Sequence, residues 1–373
     1  MRSTVGLELV IRLLFGYLPA AARRRLAGTP VVVDGAPLDP DLQLLLRLER
    51  MTTAGTPAAP VPRRRAHLDA ATALVGGRAP TTVASRAVVL ERSDRDDPGP
   101  PLAGRLFTPA GLAAGSPLLV YLHGGGWVTG GLNSHDTVCR FLADRGRLRV
   151  LAVEYRLAPE HPFPAAVLDA SAAFRFARTR APDLGADPRA IALGGDSAGA
   201  NLAAVTAHLA VRAGEPTPDR LLLFYPPCDA TRRTASRDLF ADGFLLTDAD
   251  IAWFRDHYIP SEAQRADPRA SILLAEDLSG LPPTHLVTAG FDPIRDEGEA
   301  FGERLAAAGV PVVLRREPDL VHGFVNMIGL SARCRAAVAD AAVALRRSFD
   351  NGDRDDDAQP RPARSPRRPA TCA

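Results

Sequence analysis

The chain has 373 residues, 46% of them hydrophobic and 24% charged, proportions of a soluble globular protein able to bury a sizeable core. A net charge of +2 gives no electrostatic reason to expect nucleic acid as a partner, and the basic side chains are arginine with no lysine, which beside the abundant alanine reads as codon bias rather than a binding surface. Cys139, Cys228, Cys334 and Cys372 show neither CxxC spacing nor histidines at metal-ligand intervals, so inert thiols in a reduced, cytoplasmic protein are expected, with no metal and no cofactor.

Residues 1–25 read as an amphipathic helix. The apolar run 13–22 resembles a signal-peptide core, but Glu8 and Arg12 lie just upstream and the run is too short for a bilayer of roughly 30 Å, so no integral membrane segment is expected. The basic flank Arg23 to Arg25 leaves membrane-surface association open as the alternative to a cytoplasmic setting. A turn at 37–40 leads into a helix whose leucines (Leu42, Leu44, Leu45, Leu46, Leu48) are too numerous for a solvated surface. Prolines break the chain at 57–62, and 64–74 is helical again. Residues 1–84 hold too little apolar surface to fold alone and are expected to lie over another domain as a helical cap segment.

Strand patterns follow at 86–90, 103–108, 118–122 and 150–155, the first two joined by a polar, proline-rich turn at 94–101 and expected to pair antiparallel at a sheet edge. Helical stretches at 136–145, 165–180 and 201–212 then alternate with strands, which recur at 220–225, 285–288 and 312–315 beside helices at 297–308 and 332–348. Such alternation predicts an α/β fold: a mostly parallel central sheet with helices on both faces. Residues 228–278 break the pattern. They carry Phe240, Phe244, Trp253, Phe254 and Tyr258 among polar residues, which suits a helical insertion covering a pocket within a core of 85–350. The charged, proline-rich residues 351–373 are expected to be a disordered tail.

Two motifs carry chemistry. In IALGGDSAGAN, 191–201, an apolar strand turns sharply into a helix, with Gly195 and Gly199 flanking Ser197 at two residues' distance. The turn leaves no room for side chains there and presents the serine hydroxyl at a helix N-terminus. In HGGGW, 123–127, three glycines directly after a strand leave backbone N–H groups bare and free to converge on one oxyanion.

HGGGW, SHDTVCR (134–140), EYRLAPEHPFPAA (154–166), GGDSAGAN (194–201), FDPIRDEG (291–298) and HGF (322–324) occur in one order over some two hundred residues. In these motifs the chain closely resembles the hormone-sensitive lipase family of bacterial (family IV) esterases, within the α/β-hydrolase fold. Asp196 matches the branch reading GDSAG, although Ala200 stands where a glycine usually follows.

A serine alcohol needs a base, and an imidazole needs a carboxylate to fix its tautomer. In this fold the partners follow in the order serine, acid, histidine. Of His208, His257, His285 and His322, only His322 falls in a loop after the last strand. Asp292 stands just beyond a strand, whereas Asp296 and Glu297 read as capping charges of a helix. The resemblance implies the same triad of Ser197, Asp292 and His322, an oxyanion hole of Gly125, Gly126 and Ala198 N–H groups, and Trp127 lining the substrate pocket. His123, Glu154, Tyr155 and Arg156 read as scaffold.

These features point to a serine carboxylic ester hydrolase of short- to medium-chain acyl esters, working through an acyl-enzyme on a small-molecule substrate. An amidase or a deacetylase of a small metabolite would use the same triad. A non-catalytic receptor, as in the plant gibberellin receptors of this fold, lacks the histidine that His322 supplies. Nothing in the sequence decides between a monomer and a homodimer.

Overall fold

The computed structural model describes residues 2–53, 59–93 and 99–356. From the N-terminal side, α1 (Arg2–Tyr17) and α2 (Ala20–Ala27) lead to a short hairpin, β1 (Val32–Val33) with β2 (Ala36–Pro37), and then to α3 (Pro40–Thr53) and α4 (Val61–Val75). The main sheet comprises β3 (Val83–Leu90), β4 (Leu102–Pro109), β5 (Ser116–Leu122), β6 (Arg149–Glu154), β7 (Ala186–Asp196), β8 (Arg220–Phe224), β9 (Thr284–Phe291) and β10 (Val312–Val321). Between them run α5 (Asp136–Gly146), α6 (Ala165–Thr179), α7 (Ala198–Ala213), α8 (Ala235–Leu239), α9 (Asp248–Tyr258) and α10 (Arg295–Ala307), with α11 (Ala332–Asp356) last.

The strand order is β10-β9-β8-β7-β5-β6-β4-β3. The six strands from β10 to β6 are parallel, and β4 runs antiparallel to both β6 and β3, as expected for the edge pair. All seven residues of β5 are buried. Successive side chains of a strand point to opposite faces, so a run apolar throughout must be covered on both sides. Leu118, Val120 and Leu122 pack with residues of α6, α7 and α10, and Leu119 and Tyr121 with residues of α5 and α11. After β5 the chain steps to β6 on one side and then returns to β7 on the other, so the carboxyl ends of β5 and β7 flank the crevice where the strand order reverses. Open α/β sheets bind ligands in that crevice.

Several boundaries differ from expectation for identifiable reasons. Where a turn at 37–40 was expected, the chain makes the β1–β2 hairpin first, turning on Asp34 and Gly35 with φ of 52 and 77°. Two consecutive positive φ values are the demand of a type I′ turn, and Asp-Gly meets it. Helix α4 starts at Val61, ahead of the expected 64, because Pro62 sits in the first turn, where a missing N–H costs nothing. Helix α11 runs on to Asp356, six residues into the expected tail; Arg346 and Asp350 pair across one of its turns at 2.9 Å. The rest of that tail, 357–373, lies outside the described residues, as do 94–98 of the edge-pair turn and 54–58 before α4. No helix among the described residues is long and apolar enough to cross a membrane.

Candidate active site

Ser197 sits between β7 and α7 with φ 51° and ψ −121°, a conformation rare for a residue with a Cβ. The flanking glycines are sterically required: a Cβ on Gly195 would lie 2.2 Å from the Leu122 carbonyl oxygen, and one on Gly199 would lie 1.9 Å from it. The Ser197 N–H donates to Phe224 O at 2.9 Å, fixing the turn to β8.

Asp292 follows β9 directly and His322 follows β10 directly. The structure brings both to the serine. His322 Nε2 lies 3.0 Å from Ser197 Oγ, and His322 Nδ1 lies 2.8 Å from Asp292 Oδ2. Asp292 is fully buried, and its other oxygen accepts the Ile294 N–H at 2.9 Å. The imidazole therefore faces an immobilised carboxylate on one nitrogen and a hydroxyl on the other. The remaining histidines stay apart: His257 contacts the Trp253 carbonyl on α9, and burial with the nearby Arg212 lowers His208 from its usual range.

Past β5, Gly125 and Gly126 take φ of 115 and 61°. Among the described residues neither N–H finds an acceptor, and Ala198, the first residue of α7, has no i−4 carbonyl to receive its own. Gly125 O instead accepts from Thr129 N and Oγ1, each at 2.9 Å, which holds the loop curled. The loop is tied to the elbow by Gly124 N–H donating to Asp196 Oδ1 at 3.0 Å, and a Cβ on Gly124 would strike that carboxylate. His123 is scaffold, as expected. Burial drives its imidazole down to about 3, so it stays neutral, stacks on Tyr155 at 4.2 Å and contacts Gly124 O through Nδ1. Tyr155 donates to His123 O at 2.7 Å, Glu154 accepts from Leu132 N, and Arg156 is paired with the buried Asp169. Trp127 is mostly buried and stacks on Tyr258 at 4.5 Å, with an indole N–H that has no partner among the described residues.

Glu297 departs from its expected role as a capping charge. It is buried and accepts the Cys228 N–H at 2.8 Å, and Asp296 likewise accepts the Ser236 N–H at 2.7 Å. Both carboxylates of the first turn of α10 thus reach across to the 228–278 insertion. Three neighbours of the site had no motif to announce them. The Tyr225 ring sits 4.5 Å from the His322 ring, Phe254 covers Gly126, and Arg65 donates to Val128 O and Ala158 O behind the glycine loop. Tyr225 could have been suspected from its place at the end of a buried strand, level with the other strand-end residues.

A family model described as alpha/beta hydrolase fold matches residues 119–326. A carboxylic ester hydrolase, LipN, of Mycobacterium tuberculosis is 44% identical over 341 residues, 88% of each chain. An ethyl acetate hydrolase of Pseudomonas putida is 36% identical over 300 residues, covering 78% of this chain and 92% of that one. Among solved structures, a hyperthermophilic esterase of Pyrobaculum calidifontis superposes with a TM-score of 0.79 at 35% identity, over 84% of this chain and 99% of that one. With this agreement of sequence, sheet topology and strand-end geometry, the chain belongs to the hormone-sensitive-lipase-like, family IV carboxylic ester hydrolases of the α/β-hydrolase fold.

Proposed function

We propose that the protein cleaves short- to medium-chain acyl esters of small alcohols, with Ser197 as nucleophile, His322 as general base and Asp292 as the carboxylate that orients it. The observation that carries this reading is the relay of Ser197 Oγ, His322 and Asp292 at 3.0 and 2.8 Å. As Ser197 attacks the ester carbonyl, His322 Nε2 takes its proton, and Asp292 stabilises the imidazolium formed. The carbonyl oxygen becomes an oxyanion that accepts from the N–H groups of Gly125, Gly126 and Ala198. His322 returns the proton to the departing alcohol, leaving Ser197 acylated. Water then attacks the acyl carbon, giving its proton to His322, which passes it to Ser197 Oγ as the acyl–serine bond breaks and the carboxylic acid leaves.

The cap is assigned to residues 1–84 and the insertion 228–278. Support comes from Arg64 on α4, which pairs with Asp250 on α9 at 2.9 Å and lies 4.2 Å over the Trp253 ring, and from Arg50, which donates to Gly243 O. Phe254 over Gly126 and the Trp127–Tyr258 stack favour a confined pocket lined by Trp127 and a modest acyl chain. Buried free thiols at Cys139, Cys228 and Cys334 support a reducing, cytoplasmic setting, and β10, an edge strand with Val313 and Leu314 exposed, supports a homodimer.

Hydrolysis of a p-nitrophenyl ester series from acetate to palmitate tests the reading. Turnover should peak at short to medium chains and vanish in Ser197→Ala. Activity surviving in that variant would remove Ser197 as nucleophile, and preference for palmitate would remove the chain-length assignment.

A further inference from the structure

The SHDTVCR segment takes no part in the mechanism above, yet its histidine lies at the junction of the three loops that carry that mechanism. His135 is 2% exposed and immediately precedes α5. Its Nε2 lies 3.2 Å from Asp196 Oδ1, and Asn326 Nδ2 lies 3.2 Å from the same nitrogen. Its Nδ1 lies 2.9 Å from Ser134 Oγ, and Ser134 in turn accepts the Gly131 N–H and donates to Gly131 O. Asp196 directly precedes the nucleophile, and its Oδ1 also accepts the Gly124 N–H of the glycine loop and the Tyr121 hydroxyl at 2.8 Å. Asn326 lies four residues after His322, in the 3₁₀ turn Phe324–Met327. With its Nε2 proton facing Asp196 Oδ1, the imidazole bonds the nucleophile elbow and lies against the Asn326 amide of the histidine loop, and Asp196 itself carries the link on to the glycine loop.

With Ser197 as nucleophile and His322 as its base, a reading on which the following rests, we propose that His135 is a positioning residue for ester hydrolysis. It sets the spacing between the His322 loop and the elbow, which Gly124 N–H ties to the glycine loop, without touching the reacting atoms. Each of those loops leaves its strand independently; the Gly124–Asp196 bond joins the glycine loop to the elbow, but the hydrogen bonds within the His322 loop do not fix its distance from either. A shared, buried partner does. His135 is that partner, and Asp196 is a firm anchor for it because it is held charged: burial pushes its carboxyl up, but the attraction and hydrogen bond of His135, with the Tyr121 hydroxyl, bring it below the usual carboxylate range. A buried carboxylate with fixed donors cannot drift without leaving one of them unpaired. His123 cannot substitute, since its imidazole is neutral and its Nε2 has no partner among the described residues.

The test counts active sites with a fluorophosphonate and measures p-nitrophenyl butyrate hydrolysis per labelled site. His135→Ala should lower kcat about 10- to 100-fold, the scale of a sub-ångström to 1 Å misplacement, with KM within about twofold. His135→Gln, whose amide N–H can still reach Asp196, should recover most of the loss. Asn326→Ala, which releases only the histidine loop, should cost about three- to tenfold in kcat. A kcat per labelled site within about twofold of wild type in His135→Ala, or no rescue by glutamine, would overturn the proposal. If His135→Ala does not fold, an unchanged kcat per labelled site in Asn326→Ala overturns it instead. Failure of the nucleophile assignment looks different: the probe would then label Ser197→Ala, or fail to label the wild type.

Discussion

The strand-end site and the segments proposed to cap it are built by different physics. At the ends of β5, β7 and β9 the backbone dictates the residues: Gly195 and Gly199 abut the Leu122 carbonyl, Ser197 is held at positive φ, and the carboxylates of Asp196 and Asp292 are buried with fixed donors. Over that edge, α4 and α9 meet through side chains, chiefly the Arg64–Asp250 pair, with a quarter of each side chain exposed, and the Arg64–Trp253 stack. The difference teaches where the protein can vary. The first region tolerates almost no substitution because atoms already occupy the space. The second is held by contacts that are individually small and exchangeable.

The sharpest way to break this contrast is at Gly126, where the two regions touch. A Cβ there would stand 2.3 Å from the Phe254 ring at a φ of +61°. Gly126→Ala should displace an oxyanion donor and lower kcat by about a hundred- to a thousandfold. Gly115, at φ +72° with nothing within 4 Å, supplies the control. Gly115→Ala carries the same backbone penalty, about 1 kcal/mol, and should leave kcat unchanged. Equal kinetic effects in steady-state assays would show that backbone strain, and not the crowding of the glycine loop, governs the site.

Arg64→Ala probes the other side of the comparison. It removes an ion pair and a cation–π contact between α4 and α9 and leaves every strand-end group in place. KM for p-nitrophenyl butyrate should rise about two- to fivefold with kcat within about twofold, and stability should fall by about 1 kcal/mol. A kcat loss as large as that of Gly126→Ala would mean that the proposed cap positions the chemistry and does more than enclose it.

The same division explains what could be read from the sequence. The strand-end placement of Ser197, Asp292, His322 and the glycines is legible because steric exclusion leaves few residue choices there, and those choices are visible as motifs. The strands were legible for a similar reason, since a sheet covered on both faces needs continuous apolar runs such as 118–122. The β1–β2 hairpin passed unnoticed although Asp34-Gly35 signalled it, because two-residue strands carry no periodicity. His135, Arg64 and Phe254 act through partners more than a hundred residues away, at Asn326, Asp250 and Gly126, and no local pattern encodes such a pairing. Glu297 is hidden for the same reason, since its position in the first turn of α10 fits capping while its partner is Cys228.

Glu297 yields an effect read in stability alone, and it reports on the seam between the two regions. Burial raises its carboxyl from 4.5 to about 8, with the nearby Asp229 pushing the same way and the N–H donors of Cys228 and Asp229 opposing. Around neutral pH the folded protein therefore keeps a proton that the unfolded chain has released. Between about 4.5 and 8 the native state binds more protons than the unfolded one, so this group's contribution is present below pH 4.5 and is lost as pH climbs through 8. Glu297→Gln keeps an oxygen for the Cys228 N–H and has no proton to lose. Its Tm should gain on wild type as pH rises from 5 to 8, by about 3 °C or more at the upper end, in paired thermal melts. A Tm difference that stays flat across that range would mean that the carboxyl is already ionised in the fold. The segment after β8 would then be held by a charge at Cys228, and the proposed cap would share the electrostatic rigidity of the strand ends.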